Sequence, residues 1–338
     1  MVERNTEQTR PTVIIVQTPL RISFLGGGSD FKDFYARHGG AVLSTAIDKS
    51  VFVIVKERFD DMIYINYSKK EIVESVDDIQ HGLVREAMRL TGVDHGVEIT
   101  TLSDVPADGV GLGSSSSITV GLLQALYAHK RVTAEPEKLA QEACHIEIDL
   151  LGKPIGVQDQ YIAAYGGLRH MAFGDEGVYV NEAGLNGDIV RGLQERLLVF
   201  YTGITRQAET VLIEQQANIS SRTVALSEMS GLVQQGINAL LDGDYDGFGR
   251  LLDRNWYLKK QLASKVTIGE IDEMYHEALS LGALGGKLLG AGGGGFLLLY
   301  SPVQWKDRIR KAMANRGLQE FRFAFSREGS EVILRYRR

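Results

Sequence analysis

The segment Gly109-Val110-Gly111-Leu112-Gly113-Ser114-Ser115-Ser116-Ser117 constrains this chain more than any other. It places three glycines and four serines within nine residues. An apolar helical pattern follows at once through Ile118, Val120, Leu122, Leu123 and Leu126. Glycine lets the backbone take positive φ and approach a ligand closely. A helix starting directly after such a loop leaves unbonded N–H groups and the positive end of its dipole facing the loop. That combination is a phosphate cradle, and the serine hydroxyls add phosphate or metal ligands. A Gly/Ser linker behaves as a random coil and does not run unbroken into a helix.

Two more glycine-dense loops accompany it: Gly26-Gly27-Gly28-Ser29-Asp30 after a β-rich run, and Lys287-Leu288-Leu289-Gly290-Ala291-Gly292-Gly293-Gly294-Gly295-Phe296 late in the chain. Three such loops, each beside regular structure, predict bare backbone gathered round one polyanionic ligand. Two familiar alternatives fail. Gly290, Gly292 and Gly295 satisfy G-x-G-x-x-G, but a strand follows them where a dinucleotide fingerprint needs a helix. Gly285-Gly286-Lys287-Leu288 lacks the spacing and the Ser/Thr of a Walker A loop.

Glu147 and Asp159 stand twelve residues apart across the Gly152-Lys153-Pro154 break. A carboxylate near a phosphate cradle either holds Mg2+ or accepts a hydroxyl proton. The spacing puts Glu147 in the last turns of a helix and Asp159 in or just beyond a loop.

The rest of the chain sets outer bounds. Its 338 residues allow one large domain or two ordinary ones. The formal charge of −6 argues against a general nucleic-acid binder. No apolar run is long enough to span a membrane, and residues 1–10 are polar without a signal core, so a disordered tail and a cytoplasmic location are expected. Cys144, the single cysteine, reads as a buried thiol within a helix.

Short strands are expected at Val13–Val16, Ile22–Phe24, within Ala41–Val55, at Met62–Tyr67 and at Val97–Thr101. Helices are expected over Ile79–Leu90 and Ser114–Lys130, and after a Thr133 cap. A hairpin should join Leu168–Phe173 to Gly177–Val180. After a boundary near residue 188 come the strand Arg196–Tyr201, four helices up to Leu281, the loop Gly285–Gly295, the strand Phe296–Tyr300, the helix Trp305–Arg316 and the strands Phe321–Phe325 and Val332–Tyr336. Helices and strands mix without βαβ alternation, so the expected class is α+β.

The segments Pro19-Leu20-Arg21-Ile22-Ser23-Phe24-Leu25-Gly26, Pro106 through Gly111-Leu112-Gly113-Ser114-Ser115-Ser116, and Lys287 through Gly290-Ala291-Gly292-Gly293-Gly294 resemble the three signature motifs of the GHMP small-molecule kinases. They stand in that family's order and span most of the chain. The resemblance implies a two-domain fold. Residues 11–188 would form a nucleotide-binding domain like domain 2 of ribosomal protein S5, and residues 189–338 a ferredoxin-like α/β sandwich. It implies ATP held by Gly109, Gly111, Leu112, Gly113 and Ser114 to Ser117, and Mg2+ held by Glu147 with Ser115 or Ser116. Asp159 matches the catalytic aspartate and Arg21 the basic residue beside it. Asp30, Gly27, Gly28, Gly156, Gly292 and Gly293 fall at substrate-binding positions. Galactokinases carry an acidic residue and a histidine where this chain has Gly27 and Gly28. Arg-Ile-Ser-Phe-x-Gly-Gly-Gly-Ser-Asp with Gly-x-Gln-Asp-Gln-Tyr looks most like the family's heptose 7-phosphate kinases; L-fucokinase-like or galactokinase-like activity and an inactive ligand-sensing homologue are the alternatives. A phosphorylated sugar needs a cationic clamp, for which Arg206 is the first choice and Lys153 the second. The partners are then ATP and a sugar phosphate, with neither nucleic acid nor membrane; the oligomeric state, monomer or homodimer, stays open.

Overall fold

In the computed structural model, residues 12–106, 111–204 and 208–337 are described. The expected tail 1–10 lies outside them, as do Gly109 and Arg206. The class is α+β, as expected.

Two long strands form the backbone of the first half. Strand β1 (Thr12–Leu25) opens on the β-branched run Val13-Ile14-Ile15-Val16 and pairs antiparallel with β2 (Gly40–Glu57). The two β-rich segments on either side of Pro19 are therefore one strand. Register shifts between Pro19 and Arg21 and between Ser23 and Leu25 re-aim side chains there, as bulges do. The C-terminal half of β2 pairs with β5 (Val97–Ser103), and its N-terminal half with β6 (Leu168–Gly174). Strands β3 (Ile63–Asn66), β4 (Lys70–Val73) and β7 (Gly177–Glu182), with a strand from the end of the chain, complete an eight-stranded sheet in which, among the described residues, only β3 and β5 run parallel. The helices α2 (Gly82–Thr91), α3 (Ser114–His129), α4 (Pro136–Cys144) and α5 (Gln158–Tyr165) share one apolar core with this sheet, through Val16, Val53, Ile99, Val84, Leu122, Leu139 and Ile162. Helix α4 starts at Pro136, pre-set for a first helical position, rather than under a Thr133 cap. A short helix α1 (Lys32–His38) was not foreseen; it follows directly on Asp30.

The second half holds a four-stranded antiparallel sheet. Its order is β11 (Gln319–Glu320), β8 (Leu197–Tyr201), β10 (Phe296–Tyr300), β9 (Gly285–Leu288). The long helices α7 (Ala208–Asn218), α8 (Thr223–Leu241), α9 (Tyr245–Lys259), α10 (Gly269–Ser280) and α11 (Lys306–Asn315) surround it, and α6 (Gly187–Gln194) fills the expected linker. One apolar cluster runs from β1 (Ile22, Phe24) through α8 and α9 (Val233, Phe248) to the small sheet (Leu298, Tyr300), so the halves share a core. The last strand, β12 (Glu331–Arg337), returns to pair with β1. The chain end thus belongs to the first sheet rather than the second, against the division expected at residue 188. Phe321–Phe325 makes only an isolated bridge, Phe325 to Ile47, instead of a strand.

The glycine loops meet at the junction of the halves. A Cβ on Gly111 would stand 2.2 Å from the Leu289 carbonyl oxygen, and one on Gly290 would stand 2.5 Å from the Gly111 Cα. Both glycines have positive φ, +79° and +71°. Gly290→Ala is expected to lower stability by more than the about 1–3 kcal/mol that positive φ alone costs a non-glycine residue. Gly317, at φ +80° with open space around it, supplies the strain-only comparison. Urea denaturation of both variants checks this; equal losses would mean that the loop contact carries no stability.

Candidate active site

Helix α3 begins at Gly113, whose left-handed backbone (φ 80°) leaves the first N–H groups of Ser114, Ser115 and Ser116 directed past the loop. These three serines line a cavity of about 720 Å3 together with Arg21, Gly111, Glu147, Lys153, Asp159 and Gly290. Two members of the predicted cradle have other work. Leu112 is wholly buried in the core, and Ser117 donates its hydroxyl to the Pro19 carbonyl at 2.8 Å.

Arg21 leaves β1 at the register shift and donates to both oxygens of Asp159, Nε to Oδ1 at 2.7 Å and Nη2 to Oδ2 at 2.6 Å. Its Nη1 donates to the Gly111 carbonyl at 2.6 Å. Asp159 stands in the first turn of α5, just beyond the loop that precedes it. The turn is placed by Asp30: the Val157 N–H donates to the Asp30 backbone carbonyl at 3.1 Å. A Cβ on Gly156 would stand 2.0 Å from Asp30 Oδ2, so only glycine fits there. Asp30 is itself buried and accepts from the Gly28 N–H at 2.8 Å.

Glu147 sits in a π-helical turn, His145–Leu150, that continues α4. The Leu151 N–H reaches back five residues to the Ile146 carbonyl at 3.0 Å; such turns concentrate at functional sites. The Glu147 carboxylate is fully buried and completely engaged. Oε2 accepts from Gln160 at 2.8 Å, and Oε1 accepts from the Ser115 hydroxyl at 2.6 Å and the Lys153 ammonium at 2.9 Å. Ser115, and not Ser116, is therefore the serine in contact with the glutamate. Lys153 also donates to Ser115 Oγ at 2.6 Å. Its ammonium lies where a cation shared by the two oxygens would lie, which answers one question: this donor pair accepts positive charge. Lys153 thus serves the glutamate rather than standing free as a clamp.

A second, smaller cavity of about 80 Å3 opens beside the first. It is lined by Ser23, Gly27, Gly28, Asp30, Gly156, Gln158, Lys259 and Lys287, and shares Arg21, Asp159, Leu212, Gly290 and Ala291 with its neighbour. The expected Gly292 and Gly293 line neither cavity. A Cβ on Gly292 would strike the Val266 carbonyl oxygen at 2.5 Å, and the Gly293 N–H donates to that same oxygen at 2.8 Å. Gly290 and Ala291 take their place.

Sequence reasoning missed Lys259 and Lys287. Lys287 donates to the Ser23 carbonyl at 3.0 Å and the Phe24 carbonyl at 3.3 Å; Lys259 donates to Gln215 Oε1 at 3.3 Å and the Gly27 carbonyl at 3.5 Å. Burial pushes the Lys287 ammonium down to about 7, helped by the charges of Lys259 and Arg21 and opposed by Asp30 and Asp159. Burial likewise brings Lys259 down to about 8.

Comparisons with known proteins agree with this geometry. The description "GHMP kinases N terminal domain" matches residues 70–167, and "GHMP kinases C terminal" matches residues 237–317. The chain belongs to the GHMP kinases. It is a phosphotransferase with an alcohol group as acceptor, and ATP is the donor in this family. It is similar to D-glycero-alpha-D-manno-heptose 7-phosphate kinase of Campylobacter jejuni, at 29% identity covering 94% of this chain and 97% of that one. It is also similar to L-fucokinase/L-fucose-1-P guanylyltransferase of Bacteroides fragilis, at 28% identity, covering 88% of this chain but 35% of the longer protein. Among solved structures, a D-glycero-D-manno-heptose 1-phosphate kinase of Bacteroides thetaiotaomicron superposes with a TM-score of 0.79 at 26% identity, covering 96% and 99% of the two chains. Among the described residues no helix is long and apolar enough to cross a membrane.

The two lysines generate a pH dependence. In the unfolded chain a lysine keeps its proton to about pH 10.4. Between about pH 7 and pH 10 the unfolded state therefore binds more protons than the folded one, and the ligand-free protein gains stability as pH rises. Chemical denaturation at pH 7 and pH 9 should show this rise, and the Lys259→Met, Lys287→Met double variant should flatten it.

Proposed function

We propose that this chain transfers the γ-phosphoryl group of ATP to the anomeric C1 hydroxyl of D-glycero-D-manno-heptose 7-phosphate, giving the 1,7-bisphosphate, a precursor for nucleotide-heptose and surface polysaccharide. The observation that carries the reading is the position of Asp159, on the wall shared by a large cavity rimmed with serine N–H groups and a small one floored by charged groups. The similarity to the Campylobacter jejuni kinase over nearly the full length of both chains supports the choice of sugar.

The nucleotide would occupy the large cavity. Its phosphates would accept from the N–H groups that open α3, where the helix dipole adds its positive end. Among the described residues no cluster of three or more His, Cys, Asp and Glu side chains is arranged to hold a metal. The Ser115–Glu147 pair nevertheless fits Mg2+, which takes one or two protein oxygens and completes its shell with substrate phosphates and water. Mg2+ there would neutralise charge on the β and γ oxygens. Lys153 would then turn from Glu147 toward the phosphates.

Asp159 would receive the proton of the attacking hydroxyl or fix its direction; an anomeric hydroxyl is acidic enough for a carboxylate to serve. Arg21 holds the carboxylate in one orientation through its two-pronged contact, a geometry that lysine cannot reproduce. It also presents positive charge where the transferred group must pass. Phosphoryl transfer asks little more of a protein than such positioning and charge stabilisation.

Asp159→Asn is expected to lower kcat by about two to four orders of magnitude and leave ATP affinity nearly unchanged. An ADP-release assay with heptose 7-phosphate, L-fucose and galactose measures this and selects the acceptor. Near-normal turnover in the variant would remove Asp159 from the chemistry, and turnover with L-fucose alone would transfer the reading to a fucokinase.

A further inference from the structure

The small cavity contains more positive charge than its own carboxylates contact. Lys259 and Lys287 are 5% and 2% exposed. Neither has a carboxylate within salt-bridge distance among the described residues; their partners are three backbone carbonyls and one amide oxygen. An ammonium has three donors, so each keeps one unspent. Arg21, a third cation on the same wall, is already satisfied by Asp159 and Gly111. Buried charge without a contacting opposite partner is costly, and an anionic ligand would offset that cost.

Two further groups in the cavity also await a partner. Ser23 Oγ and Gln158 Oε1 are buried, line the cavity and have no hydrogen-bond partner; the serine hydroxyl can donate to an anion, whereas the amide oxygen accepts and suits a sugar hydroxyl. The glycines above them explain why the ammonium groups are reachable. A Cβ on Gly27 would stand 3.9 Å from Lys287 Nζ, and one on Gly28 would stand 4.0 Å from Lys259 Nζ. Any longer side chain at either position would grow over the charge and cover it.

We propose that Lys259 and Lys287 form the subsite for the phosphate that the sugar already carries when it arrives. This rests on the phosphosugar reading above and names the grip that reading requires. The two carboxylates of the cavity are directed elsewhere, Asp30 to the N–H groups of Gly28 and Gln158 and Asp159 to Arg21; they offset part of the lysines' charge from a distance, and with Arg21 the three cations still outnumber the two carboxylates. At about 80 Å3 against about 720 Å3 for its neighbour, the small cavity is the narrower of the two. The tail would fill it, with Ser23 donating to the phosphate. The ring would stand at the opening shared with the large cavity, where C1 meets Asp159. The depressed ammonium groups would regain full charge beside a dianion.

The test compares wild type with Lys259→Met and Lys287→Met in the intact chain. Calorimetric titration without nucleotide uses D-glycero-D-manno-heptose 7-phosphate and the same heptose without its phosphate; steady-state kinetics uses both sugars and ATP. Wild type should prefer the phosphorylated sugar. Each variant should lose that preference, with KM for the phosphosugar raised about ten- to hundredfold, the scale of a lost hydrogen bond between charged groups. KM for ATP should stay close to wild type. Both variants should melt at or above the wild-type temperature, because methionine removes a buried charge from the ligand-free fold. Retained preference in both variants, or an equal rise in KM for ATP, overturns the lysine subsite while phosphorylation of the heptose 7-phosphate continues. An enzyme that phosphorylates only an unphosphorylated sugar overturns the subsite and the proposed function together.

Discussion

Arg21 is the point on which the site depends. Its guanidinium holds the acid of α5 with two hydrogen bonds and the glycine loop before α3 with a third, and its backbone N–H donates to the Leu112 carbonyl at 3.1 Å. Strand β1, the phosphate loop and the carboxylate-bearing helix are thereby fixed to one side chain that is 5% exposed. A buried ion pair of this kind is weak evidence for stability, since desolvation offsets much of the attraction. What it supplies is geometry. The planar fork allows the Asp159 carboxylate one orientation, and that carboxylate forms part of the wall between the two cavities. The register shifts that bend β1 on either side of Arg21 are the backbone cause of the arrangement.

Bare backbone does two jobs in this molecule, and the structure separates them. Gly113, at the start of α3, frees N–H groups for an anion. Gly111, Gly156 and Gly290 serve packing: each meets another atom so closely that no side chain could intervene. Gly292 likewise packs on Val266, which is why the densest glycine run contributes only its first members to the cavity wall. Glycine density therefore marks where two halves of the chain touch as much as where a ligand lies. Here the two coincide, because the loops that approach one another also enclose the site.

This mixture decides what could be read in the sequence. The three loops, the helix after the serines and the Glu147–Asp159 interval were legible because each is a local pattern. Strand β9 was not. Gly285 and Gly286 read as loop, yet they pair with Tyr300 and Leu299 of β10 as a strand, and glycine is required there because a Cβ on either would strike backbone, the Gly249 carbonyl oxygen at 2.1 Å and the Leu298 carbonyl oxygen at 2.3 Å. The return of β12 to β1 is a long-range pairing that no local period encodes. The choice between Ser115 and Ser116 depended on how α3 is rotated against Glu147, which tertiary packing sets. Lys259 left a fainter signal. It lies four residues after Asn255, three after Trp256 and seven after Leu252, all buried, so it falls on the apolar face of α9 where a lysine is out of place. Lys287 sits in a four-residue strand buried at every position and was masked by the glycines round it.

In the proposed reading, the buried lysines and the N–H groups that open α3 express one design. On the proposed nucleotide side, negative charge would be met by the backbone N–H groups that open α3 along the large cavity. On the proposed acceptor side it would be met by two buried amines whose lowered proton affinity is restored when the right anion enters. The first arrangement tolerates any polyphosphate tail of suitable shape. The second discriminates, because a buried cation left unpaired penalises every acceptor that lacks the matching group. In the proposed reading, selectivity for the acceptor would thus follow from the cost of buried, unmatched amines in the ligand-free fold.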